Sequence, residues 1–314
     1  MKKLSFLITF IFLNTIIFSQ NSKLPMKKLL SEYGFKSKCI TVGDVEINYI
    51  KKGKGKTTLV FLHGLSSNAD AWSKNIEELQ KKYTCVALDL PGFGKSSIKS
   101  PEYTPSYFAE ITHQFIQKLK LKNVVLVGHS MGGQASIKLA LKYPNDIQKL
   151  VLVAPAGLET FKKENANFMK ATYTANFVKM TTNEQIKKNY ALNFFKVPNS
   201  VDKMIEDRIR IKDAIDFDMH CTAIIKSVAG MLDEPVNSSL TEITQPTLVI
   251  FGTNDALIPN HYFNPTLTTK YVGEIASKQI KNVAVNFIED CGHFAQFEKP
   301  KEVNILIDTF IEDK

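Results

Sequence analysis

The chain is poor in the residues that staple or wire small secreted folds. Its 314 residues hold four cysteines and one tryptophan. Cys39, Cys85, Cys221 and Cys291 stand far apart, and no Cys-x-x-Cys pair suggests a zinc or redox site. They read as small hydrophobes rather than as a disulfide framework. Arginine is scarcer still, with Arg208 and Arg210 the only two. The net charge of +9 therefore rests on lysine spread along the chain. No basic run is interleaved with aromatics, so no nucleic-acid groove is expected. The longest apolar run, residues 4–18, falls short of the ~20 residues a membrane span needs. The loop Gly92-Phe93-Gly94-Lys95-Ser96 lacks the first glycine of a phosphate-binding loop and reads as a turn.

The hydrophobic fraction of 44% is enough for a substantial core. Lys2-Lys3, the apolar run and polar Ser19-Gln20-Asn21-Ser22 together have the layout of an export signal over residues 1–20. The expected destination is periplasmic or secreted, with an uncleaved N-terminal anchor as the alternative. No stable span is expected once the signal is removed.

After the leader, strands are expected over residues 39–42 and 45–51, with a Gly43-Asp44 hairpin between them. Further apolar strands follow over 57–62, 84–90, 123–127, 149–153, 246–251 and 283–288. Helices are expected between them over 70–80, 107–121, 134–142, 266–280 and 301–311. This alternation predicts parallel strands joined by crossover helices. It stops between residues 159 and 240, which are rich in Phe, Met and helix formers. The expected organisation is a core of residues 21–158 and 241–314 with a helical cap inserted at 159–240.

The candidate chemistry sits just after strand ends, where open parallel sheets place their sites. Gly128-His129-Ser130-Met131-Gly132 puts a serine between glycines on a strand-to-helix turn, the pattern of an exposed nucleophile. Of six histidines, His293 alone occupies a loop after the last strand, and it is the expected general base. Asp255, in the turn after the preceding strand, is its expected carboxylate partner; Asp290 and Asp233 are weaker rivals. The main-chain N–H groups of Met131 and Leu65 are expected to form the oxyanion hole. No metal or cofactor is implied.

These motifs carry a family resemblance. Leu62-His63-Gly64-Leu65, Asp89-Leu90-Pro91-Gly92-Phe93-Gly94-Lys95-Ser96, the Ser130 elbow, Gly252-Thr253-Asn254-Asp255 and Gly292-His293 resemble the α/β-hydrolase fold superfamily. The branch is the one with a helical cap after the sixth core strand. The resemblance implies an eight-stranded, mostly parallel sheet flanked by helices. Serine at the elbow separates this chain from related enzymes that use aspartate there. The chain is similar to carboxylesterases and to carbon–carbon bond hydrolases of meta-cleavage pathways, whose signature is similar to Cys291-Gly292-His293-Phe294. Those hydrolases hold a substrate carboxylate with a cap arginine, a role for which the resemblance offers Arg208 and Arg210. His63, Gly64 and Phe294 join them as substrate-binding candidates. The expected activity is hydrolysis of a small-molecule carboxylic ester with an apolar acyl group. The alternatives are carbon–carbon bond hydrolysis and a binding protein on the same fold. Oligomeric state is not set by the sequence.

Overall fold

The computed structural model describes residues 23–313. The leader expected at 1–20 lies outside the described residues. Eight strands form one sheet: β1 (Ser37–Val42), β2 (Val45–Lys52), β3 (Thr58–Leu62), β4 (Thr84–Leu88), β5 (Val124–His129), β6 (Lys149–Val153), β7 (Thr247–Gly252) and β8 (Val283–Ile288). Their spatial order is β1-β2-β4-β3-β5-β6-β7-β8. β1 and β2 form an antiparallel hairpin, and β2 also pairs antiparallel with β4. The other neighbours are parallel.

The continuous apolar runs are explained by burial on both faces. Val60, Leu62, Leu126 and Leu152 point into one core layer, while Leu59, Phe61, Val125 and Val151 point into the other. Successive side chains alternate across a strand, so each face needs its own apolar set. Helices α3 (Pro105–Lys118), α4 (Met131–Lys142) and α10 (Thr269–Gln279) cover the first face. Helices α2 (Ser73–Leu79) and α12 (Pro300–Glu312) cover the second.

Helix starts shift from the expected positions because of capping. Thr104 accepts the Tyr107 amide and Pro105 stands at the first turn, so α3 begins earlier than residue 107. The helix expected from residue 70 is preceded by a 3-10 turn over Ala69–Trp72, capped by Asn68. The Asp70 carboxylate receives the Gly34 amide and the Ser73 hydroxyl.

Between β6 and β7 lie five helices: α5 (Lys163–Thr172), α6 (Ala175–Met180), α7 (Asn183–Ala191), α8 (Asp202–Arg210) and α9 (Phe217–Asp233). The segment with α1 (Met26–Leu29) straps them to the core. Its Met26 amide donates to Asp216, its Ser31 amide and hydroxyl to Asp207, and its Tyr33 hydroxyl to Asp89. All four cysteines are free thiols. No described helix is long and apolar enough to cross a membrane.

Candidate active site

The site is built at the C-terminal ends of β3, β5, β7 and β8. Ser130 follows β5 with φ 53° and ψ −117°, a left-handed conformation that L side chains rarely adopt. The turn is pinned from both sides. The Ser130 amide donates to the Val153 carbonyl, while its own carbonyl receives the Gln134 and Ala156 amides. A side chain at Gly132 would lie 2.6 Å from the Leu62 and His63 carbonyls, so glycine is required for the elbow to sit against β3. Helix α4 begins at Met131, closer to the serine than expected, so the helix N-terminus stands directly behind it.

His293 and Asp255 form one unit. The ring Nδ1–H donates to Asp255 Oδ2 at 2.8 Å, and both side chains are almost fully buried. The second carboxylate oxygen, Oδ1, accepts the Leu257 and Ile258 amides at 2.8 and 2.9 Å. Three donors therefore hold Asp255 in place and leave His293 Nε2 as the free ring nitrogen. The rivals are elsewhere: Asp233 pairs with Lys170 on the surface, and Asp290 is exposed. Ser130 and His293 line one cavity of about 800 Å³. Leu65 and Gly64 line it too. Among the described residues, neither the Leu65 nor the Met131 amide finds an acceptor within the protein. Both remain free to receive an oxyanion.

The other histidines have different work. His113 stacks on Tyr143 and pairs with Asp146. His220 donates through Nδ1 to the Gly92 carbonyl. His129 donates through Nε2 to the His293 carbonyl at 3.1 Å, tying the elbow to the loop of the expected base. His261 is exposed.

Two expected substrate contacts are corrected. His63 does not line the cavity. Its Nδ1–H donates to the Gly64 carbonyl, and its Nε2 accepts the Leu90 amide. Burial pushes its pKa down to about 4, so the ring stays neutral and acts as a brace beneath the loop of Leu65. Arg210 also points away from the site. It reaches the Leu29 carbonyl, the Ser31 hydroxyl and Asp207 on the outer side of α8. Gly64, Phe294 and Arg208 do line the cavity. Arg208 has its Nη1 enclosed without a partner, its guanidinium 5.5 Å from the Phe217 ring centre, and no carboxylate within ion-pair distance among the described residues. Burial lowers its pKa.

Two further carboxylates, to which the sequence reading gave no role, hold the loops around the site. Glu298 accepts the Gly292 amide from the His293 loop and the Phe195 and Lys196 amides from the cap. Glu159 accepts the Asn260 amide and the Asn264 side chain, bracing the segment after Asp255. Glu159 and the cap side of Glu298 bind donors about a hundred residues away, while the Gly292 bond of Glu298 closes within the histidine loop itself.

Residues 57–300 match the family described as alpha/beta hydrolase fold. The chain belongs to that family. It is 28% identical, over 85% of its length, to the dihydrolipoyllysine-residue acetyltransferase component of an acetoin cleaving system from Cupriavidus necator, and spans 66% of that relative. It is also 28% identical to a 2-hydroxy-6-oxononadienedioate/2-hydroxy-6-oxononatrienedioate hydrolase from Klebsiella pneumoniae, covering 82% of this chain and 88% of the relative. Among solved structures, a membrane phospholipase A described as a bacterial virulence factor superposes with a TM-score of 0.73 at 25% identity. That match covers 91% of this chain and 88% of the other. In this hydrolase the strained Ser130, the Asp255-bound His293 and Leu65 thus line one cavity.

Proposed function

We propose that this hydrolase is an exported serine esterase, periplasmic or secreted, acting on carboxylic esters that carry an anionic group. The observation that carries the reading is the meeting of Ser130, at its strained elbow, with the buried His293–Asp255 pair across one cavity. His293 Nε2 takes the Ser130 proton as Oγ attacks the ester carbonyl. The oxyanion rests on the Met131 and Leu65 amides, and Asp255 stabilises the imidazolium. His293 then gives the proton to the departing alcohol. Water, deprotonated by His293, cleaves the acyl-enzyme and restores Ser130.

Two features support the substrate class. Phe161, Met169, Phe177, Ile224 and Met231 give the cavity an apolar wall suited to an acyl chain. Arg208 places an uncompensated positive charge in the same wall, which favours a carboxylate or similar anion on the substrate.

Arg208 also favours a second reading, hydrolysis of a carbon–carbon bond in a vinylogous diketone acid, the chemistry named for the Klebsiella relative. Turnover separates the two. A p-nitrophenyl ester of a dicarboxylic acid monoanion should be hydrolysed with higher kcat/KM than its neutral counterpart. Cleavage of a meta-cleavage product with no turnover of either ester would replace the first reading by the second. A binding protein would turn over none of the three.

A further inference from the structure

The cap wears an unusual surface. Of the fourteen exposed large apolar side chains among the described residues, eight lie between Phe168 and Met219. A surface set of this density marks an interaction face. It is continuous with the cavity mouth. Phe177, Leu192 and Leu257 are exposed and also line the cavity. Phe177 is followed on α6 by Met180, 79% exposed, and α6 is tied to the segment that carries Ile215 by the Lys212 ammonium on the Thr181 carbonyl and by the Lys179–Asp218 pair. The Ile215 amide donates to the Leu24 carbonyl at 3.0 Å. Leu24, Ile215 and Met180 thus extend the apolar rim from the mouth to the point where the chain enters the fold.

Two further observations say what covers this face. Within this face, residues 162–197 hold seven lysines against two acids, Glu164 and Glu184, whereas residues 198–219 hold six acids, of which Asp207 and Asp216 bind the N-terminal strap and Asp218 pairs with Lys179. Only Lys170 and Lys179 of the seven meet carboxylates among the described residues. An isologous contact between two copies would set this lysine-rich face against itself, which disfavours a dimer here. Apolar side chains framed by lysine suit a surface that is apolar within and negative outside. In the sequence, the apolar run of residues 4–18 ends six residues before Leu24.

We propose that the cap face around the cavity mouth docks on an anionic lipid bilayer, with Phe177, Met180 and Ile215 inserted at the interface. The mouth then opens toward the membrane, and amphiphilic substrate enters from the lipid. The inference does not depend on the ester reading, because it concerns the face and not the chemistry.

The test is co-sedimentation of the chain starting at Ser22, which contains every strand and helix among the described residues, with vesicles of phosphatidylglycerol and phosphatidylcholine. Anionic vesicles should bind it at low salt, with binding weakened at least tenfold by high salt or by pure phosphatidylcholine, on the order expected for several lysines at a charged surface. Met180→Glu with Ile215→Glu should weaken binding similarly while turnover of a soluble ester is unchanged. Lys187→Glu with Lys188→Glu, which leaves the apolar residues in place, should weaken it at low salt. Absence of binding by the parent chain, binding indifferent to lipid charge, or full binding by both double variants would overturn the proposal. So would a dimer that the Met180/Ile215 variant abolishes. Loss of ester turnover in Ser130→Ala with vesicle binding intact would support the face as a feature separate from the chemistry.

Discussion

Asp207 and Arg208 are neighbours on α8 whose side chains diverge to different partners. Asp207 accepts the Ser31 amide and hydroxyl at 2.9 and 2.7 Å on the strap side. Arg208 turns into the cavity that holds Ser130 and meets no carboxylate there. Asp207 is engaged by Ser31 and Arg210, and among the described residues no other carboxylate pairs with Arg208, so its charge is left for a ligand.

Arg208→Met should therefore separate function from stability. A charge-assisted hydrogen bond is worth about 1.5–3 kcal/mol, so kcat/KM on the carboxylate-bearing ester should fall roughly 10- to 100-fold. Turnover of a neutral ester should stay as it is. Removal of an uncompensated enclosed charge should also raise Tm by a few degrees. Paired ester kinetics and a thermal melt check both halves.

Asp255→Asn keeps an acceptor for the Leu257 and Ile258 amides but sets an amide NH₂ against His293 Nδ1. That nitrogen must then accept, and the proton moves to Nε2, where the base needs a lone pair. The expected loss in kcat is on the order of 10⁴, with Tm almost unchanged. A melt alongside the kinetics distinguishes a tautomer effect from a folding defect.

Acid should destabilise the fold through its buried neutral histidines. Burial sets the His63 pKa at about 4 and that of His220 at about 3, against about 6.5 when unfolded. A folded value below the unfolded one means that the unfolded chain takes up the proton first. The stability from each histidine is thus whole above pH 6.5 and is lost as pH falls toward 4 for His63 and 3 for His220. The loss for His63 totals about 3 kcal/mol. Each group adds up to about 1.4 kcal/mol per pH unit to the slope. Urea midpoints from pH 7 to pH 4 should show this slope, and His220→Gln should reduce it by one such share.

Glu298→Ala strips the acceptor from the Gly292, Phe195 and Lys196 amides. The histidine loop and the cap should loosen together. We expect kcat to fall more than KM rises, with about 1–3 kcal/mol of stability lost. Glu298→Gln retains one acceptor oxygen and should recover part of the rate, an outcome that a purely steric role would not give.

What the sequence revealed was local and periodic. Apolar strand runs placed β3 to β8, and the stretch without them at 159–240 holds the five helices between β6 and β7. Serine, aspartate and histidine after β5, β7 and β8 pointed to Ser130, Asp255 and His293 because each lies beside its own turn signal. His63 was harder to assign. Its motif marks the loop, but only the Leu90 amide, 27 residues away, shows that the ring is a brace. Arg208 and Arg210 are indistinguishable as letters two positions apart. The helix turn between them sends one to the cavity and the other to Ser31. The Glu298 bonds to Phe195 and Lys196 and the Tyr33–Asp89 bond join distant segments by side chains, and no period in the sequence encodes them.

The most direct test of the central claim is labelling with an active-site fluorophosphonate followed by intact-protein and peptide mass measurement. The account predicts one adduct, on Ser130, absent from Ser130→Ala and much slower to form in His293→Ala. An unlabelled wild-type chain, or equal labelling of Ser130→Ala, would contradict it.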